Sequence, residues 1–116
     1  MKVLIVDDSM TSRMLFKAYL AKAGSHELLE ASNLSDALSA IEQAQPDLIV
    51  LDYSMPEHSG VEMAGIMKQA GAAAKFVLLT ANSEQAVIDE AKAAGFAQIL
   101  EKPINAEKIA ALFSVI

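Results

Sequence analysis

Short apolar runs and longer segments with helical spacing alternate five times along the chain. The strand candidates are Lys2 to Val6, His26 to Glu30, Asp47 to Leu51, Lys75 to Leu79 and Gln98 to Leu100. Three of these contain continuously apolar stretches, Val3-Leu4-Ile5-Val6, Leu48-Ile49-Val50-Leu51 and Phe76-Val77-Leu78-Leu79. An unbroken run, as opposed to strict alternation, marks a strand buried on both faces. Between the runs, Leu34, Ala37, Leu38 and Ile41 recur at helical spacing behind a cap candidate at Ser32 or Asn33. Ser59 and Glu62 form a capping-box pattern ahead of Met63, Ile66 and Met67. Gly24, Gly71 and Gly95 each follow a helical stretch, where a residue with positive φ closes the helix. Ile109, Leu112, Phe113 and Ile116 predict a last amphipathic helix. Strands that alternate with helices imply an α/β fold, a doubly wound parallel sheet with helices on both faces.

That arrangement gives meaning to five polar positions. Asp7-Asp8, Asp52, Thr80 and Lys102 each stand at the carboxyl end of an apolar run or within two residues of it. Crossovers are right-handed, so covering both faces forces the winding to reverse, and ligands bind at the carboxyl edge beside the reversal. Three carboxylates there repel one another, and a hard divalent cation relieves the repulsion. Mg2+ suits Asp7, Asp8 and Asp52 because it takes oxygen ligands and keeps an open side for a phosphoryl oxygen. Asp52 ends the central run and is the candidate nucleophile, with an aspartyl phosphate as product. Lys102 supplies a point charge for a phosphoryl oxygen and Thr80 a hydroxyl donor. The Lys102-Pro103 bond is a candidate for the cis form.

Composition narrows the partners. A chain of 116 residues with 53% hydrophobic content makes one domain, residues 1–116. The net charge of -6 and the single arginine, Arg13, argue against a nucleic-acid surface. With no cysteine there is neither a disulfide framework nor a thiolate metal site, which fits a reducing cytoplasm. The first apolar stretch is four residues long before two aspartates end it, too short for a signal peptide or a membrane span. His26 and His58 read as surface residues near loops. Met10, Met14, Met55, Met63 and Met67 read as core or loop filling.

Taken singly, each polar motif has an ordinary explanation: an Asp-Asp pair caps a helix, Thr80 ends a strand, and a lysine before proline is solvated. Register on one edge carries the inference. The segments Leu4-Ile5-Val6-Asp7-Asp8-Ser9, Leu51-Asp52-Tyr53-Ser54-Met55-Pro56 with Gly60, Leu79-Thr80-Ala81 and Glu101-Lys102-Pro103 occur in that order. Together they resemble the receiver domain of bacterial two-component response regulators, of the single-domain chemotaxis kind, over essentially the whole chain. The resemblance implies a flavodoxin-like five-stranded sheet in the order 2-1-3-4-5. It implies Asp52 as phosphoacceptor, Asp8 and Asp52 as direct Mg2+ ligands, Asp7 acting through a metal-bound water, and the backbone carbonyl of Ser54 as a further ligand. Thr80 becomes the switch hydroxyl and Lys102 the phosphate-pairing lysine. The implied partners are a sensor histidine kinase or histidine phosphotransfer protein upstream, and a protein target downstream. That target meets the face made by the fourth helix, fifth strand and fifth helix.

Two positions depart from the family pattern. Ile99 stands three residues before Lys102, where receivers usually carry an aromatic that swings inward as the switch hydroxyl moves. Ser59 stands where an aspartate is common, a mild change because both residues cap helices. Two rival functions follow. One is a receiver-like interaction module whose output ignores phosphate, supported by Ile99. The other is an aspartyl phosphatase, which expects a second acid at the position of Ser54 and a substrate cap that 116 residues do not supply.

Overall fold

Each apolar run becomes a strand and each periodic segment a helix. The computed structural model describes residues 1–81 and 84–113. In chain order the elements are β1 (Lys2–Val6), α1 (Met10–Ala23), β2 (Glu27–Ala31), α2 (Leu34–Ala44) and β3 (Leu48–Asp52). They continue as α3 (Gly60–Gln69), β4 (Lys75–Thr80), α4 (Gln85–Ala93), β5 (Gln98–Glu101) and α5 (Ala106–Leu112). All strand pairs are parallel and the sheet order is β2-β1-β3-β4-β5. This is the flavodoxin-like topology that the family resemblance implied.

The continuous apolar runs divide their side chains between two cores, as the two-residue period of a strand requires. Leu4, Val6, Ile49, Leu51, Phe76 and Leu78 face one side and pack with Ala37, Ile41, Met63, Met67 and Val87 of α2, α3 and α4. Val3, Ile5, Leu48, Val50, Val77 and Leu79 face the other and pack with Phe16 and Leu20 of α1 and Ile109 and Leu112 of α5. β3 is buried along its whole length, so its last residue, Asp52, is held at the centre of the carboxyl edge.

Several local expectations shift. β2 and β3 each run one residue later than the apolar pattern suggested, and β4 and β5 one residue further. At the start of β3, Asp47 uses its carboxylate to accept the Lys2 N–H at 2.8 Å, while its own N–H donates to the Lys2 carbonyl at 2.8 Å. It closes the amino edge before the strand begins. His26 is not a free surface residue. Its ring stacks on Phe113 with centroids 4.2 Å apart, and its Nδ1 is buried with no partner among the described residues. Met63 and Met67 fill the core as expected, but Met10 and Met14 do not: they are 66% and 62% exposed on α1. α1 has only Phe16 and Leu20 fully buried, and both methionines lie off that stripe. Gly71 and Gly95 end helices with positive φ, whereas α2 is closed by a non-glycine residue, Gln45, at φ 48°. Ile116, assigned to the last apolar stripe, lies outside the described residues.

Candidate phosphoacceptor site

β1 and β3 are neighbours, so the residues that end them, Asp7 just beyond Val6 and Asp52 within β3, stand side by side. Both are almost wholly inaccessible, whereas Asp8 is exposed. Carboxylate oxygens of all three lie within 4.8 Å of one another. Thr80, buried, ends β4 on the other flank of β3.

Lys102 enters from the edge strand. Its backbone N–H donates to the Thr80 carbonyl at 2.8 Å, which fastens the residue after β5 to the end of β4. The Lys102-Pro103 peptide is cis. The ammonium lies 3.3 Å from Asp7 Oδ2 and 3.4 Å from Asp52 Oδ2, bridging the two buried carboxylates. Lys108 of α5 donates to the carbonyls of Glu101 and Pro103, at 2.9 and 3.0 Å, and so braces the loop on both sides of Lys102.

The other oxygens of Asp7 and Asp52 have local donors. Ser9 N–H donates to Asp7 Oδ1 at 2.9 Å, and Ser54 N–H to Asp52 Oδ1 at 3.3 Å. Ser9 also caps α1 through its hydroxyl, which accepts from Ser12 N–H at 3.2 Å. Behind Asp52 the loop closes tightly. Tyr53 N–H donates to the Leu79 carbonyl at 2.8 Å and Gly60 N–H to the Tyr53 carbonyl at 2.9 Å. A side chain at position 60 would put its Cβ 2.6 Å from the Asp52 carbonyl oxygen, so only glycine fits there.

The electrostatics of Asp52 follow from this crowding. Burial pushes its carboxyl above the ordinary range and the neighbouring Asp7 charge pushes it further, while Lys102 and the Ser54 N–H pull it back. The ammonium alone does not offset burial and repulsion. A hard divalent cation fits this donor set: three carboxylates are clustered, one of them open to solvent, and no softer ligand is among them.

The structure thus brings Asp7, Asp8, Asp52 and Lys102 together and sets Thr80 at the next strand end. The sequence reading missed two basic residues that brace this edge, Lys108 and Arg13. Arg13 Nη1 donates to the Asp7 carbonyl at 2.6 Å. Neither had a sequence signal beyond its charge, because both bind main-chain oxygens.

Comparison with known proteins agrees with the fold. The family model of the response regulator receiver domain matches residues 3–114. Chemotaxis protein CheY of Bacillus subtilis is 32% identical over 108 residues, covering 93% of this chain and 90% of that protein. Sporulation initiation phosphotransferase F of the same organism is also 32% identical, covering 93% of this chain and 86% of its own. Among solved structures, chemotaxis protein CheY4 of Vibrio cholerae superposes with a TM-score of 0.88 at 30% identity, over 99% of this chain and 98% of that one. Matched from residue 3 to residue 114 by that family model, the chain belongs to the response regulator receiver domain family.

Proposed function

We propose that this chain, acting as one receiver domain over residues 1–116, accepts a phosphoryl group onto Asp52 in a Mg2+-dependent reaction and switches protein contacts in response. The donor is the phosphohistidine of a sensor histidine kinase or histidine phosphotransfer protein. The observation that carries the reading is the cluster itself: three carboxylates within 4.8 Å of one another, with the Lys102 ammonium 3.3 and 3.4 Å from two of them. Receivers are signalling domains and not turnover enzymes in the ordinary sense.

In this reading an Asp52 oxygen forms the new P–O bond as the donor's P–N bond breaks, and the electron pair stays with the imidazole. Asp8, Asp52 and the Ser54 carbonyl would hold Mg2+ directly and Asp7 through a water, and the ion would neutralise charge on the transferring oxygens. Lys102, already beside Asp52, pairs with one phosphoryl oxygen. Thr80 donates its hydroxyl to another as the switch residue. The Ser54 side chain borders the path of hydrolytic water.

Two surfaces support partner contacts. Met10, Met14 and Leu15 are exposed on α1. Beside them, an open cavity of about 420 Å³ is walled by Leu15, Lys102, Pro103 and Ile104. An apolar rim next to the phosphoacceptor suits docking of the donor protein. The downstream target meets the α4, β5 and α5 face, whose equilibrium phosphorylation shifts. No helix among the described residues is long and apolar enough to cross a membrane, and a cytoplasmic location fits this reading.

The test is acyl-phosphate labelling by a small phosphodonor. Labelling is expected to need Mg2+ and to vanish in Asp52→Asn; labelling that survives the substitution overturns the assignment. Ile99 supports a second reading, an interaction module indifferent to phosphate. Equal partner affinity with and without a phosphoryl mimic would favour that reading.

A further inference from the structure

The three carboxylates are not held alike. Asp7 is fixed by the Ser9 N–H and Lys102, and Asp52 by the Ser54 N–H and Lys102. Asp8 is exposed, and among the described residues no hydrogen bond or ion pair holds its carboxylate. Its direction is therefore set by its backbone. The peptide joining Asp7 to Asp8 is planar, so an anchor on the Asp7 carbonyl oxygen also fixes the amide end of Asp8.

Arg13 is that anchor. It is the fourth residue of α1, and its guanidinium turns back over the carboxyl edge of β1. Nη1 donates to the Asp7 carbonyl at 2.6 Å while Nε pairs with Glu30 Oε1 of β2 at 3.2 Å. The Arg13 side chain is only 14% exposed. Two bonds from one rigid planar fork fix both its position and its plane, which a lysine cannot reproduce.

We propose that Arg13, locked by Glu30, is a positioning residue for Mg2+: it holds the 7–8 peptide so that Asp8 faces the ion. The inference rests on the metal reading above. Charge alone predicts the opposite effect, because a guanidinium near the site repels a divalent cation. The sign of the change on removing Arg13 therefore separates positioning from electrostatics.

The experiment is calorimetric titration of the full chain with Mg2+ alone, at fixed ionic strength, with folding checked by circular dichroism. Arg13→Met is expected to weaken binding about tenfold, the usual scale for a residue behind a metal ligand. Glu30→Gln should weaken it less and in the same direction. In an Asp8→Asn background the Arg13 effect should fall to less than about twofold, since its route through Asp8 is gone. Binding that is unchanged or tighter in Arg13→Met overturns the proposal, as does equal weakening in both backgrounds. If Arg13→Met does not fold, Arg13→Lys decides: it keeps the charge without the fork, so weaker Mg2+ binding supports positioning and unchanged binding overturns the proposal. A wild-type chain with no saturable Mg2+ binding overturns the metal reading, and the proposal with it.

Discussion

Asp52 carries an energetic cost in the metal-free protein. Its carboxyl is raised above the ordinary range of about 3.8, first by burial and then by Asp7. The folded chain therefore holds this proton more tightly than the unfolded chain does. Stability contributed by the group is full below the unfolded pKa and is lost as pH rises through the folded one, so at neutral pH the charged Asp52 weakens the fold. Asparagine cannot ionise. Asp52→Asn is expected to melt several degrees higher than wild type at pH 7 in chelator, with the gain shrinking as pH approaches the ordinary carboxylate range. Thermal unfolding at several pH values checks this, and a constant offset would reject it. Lys102 makes a complementary prediction. Lys102→Met removes a cation that competes with the metal, so Mg2+ should bind as tightly or more tightly while phosphodonor labelling falls at least about tenfold. Asp7, Asp8, Asp52, Thr80 and Lys102 were legible as candidates because each stands at the end of an apolar run or within two residues of it, all on one edge. Arg13 was not, since its partners are a main-chain oxygen and a residue 17 positions away.

At the scale of elements, the existence and type of all five strands could be read from continuous apolar runs, and most helices from their spacing and caps. Ser59, Asn33 and Asn105 each cap a helix with a side-chain oxygen, and Ser59 with Glu62 completes the capping box. Boundaries were less legible, because Asp47 and His26 continue the run in sequence but are diverted by Lys2 and Phe113. The exposed side of α1 was not legible either. Which helix face is covered depends on α5, and nothing local to Met10 or Met14 encodes that. The junction of β3 and α3 offers a direct test. In Gly60→Ala the new methyl would meet the Asp52 carbonyl oxygen at 2.6 Å and Leu78 Cδ1 at 2.9 Å. The oxygen is main chain and cannot swing aside, so the substitution should cost about 1–3 kcal/mol in urea unfolding and impair labelling as well. In the core, Phe76 is 2% exposed, meets Phe96 edge-on and lies beneath the Lys68 ammonium. Phe76→Ala should cost about 3–5 kcal/mol, read by the same unfolding curve, without the selective loss of chemistry expected at Gly60.

For the whole molecule the open question of the sequence was whether Ile99 relays the switch. The structure puts Ile99 in β5, partly buried against the core that holds Val87, Ala91 and Phe96. An aliphatic side chain in that place has no ring to swing between an outer and an inner pocket. On adding a phosphoryl mimic with Mg2+, backbone NMR shifts are expected to be large around Thr80 and small along the outer face of β5; large changes at both would reject weakened coupling. The site has a second global property. Lys102 and Asp7 meet across 95 positions of chain. During synthesis the ribosome delivers both ends of the acidic cluster, Asp7 and Asp52, long before the residue that bridges them. Until β5 joins the sheet, a growing chain has its acids but not their counter-charge. The acidic cluster is therefore balanced by its lysine only in a chain whose sheet is complete.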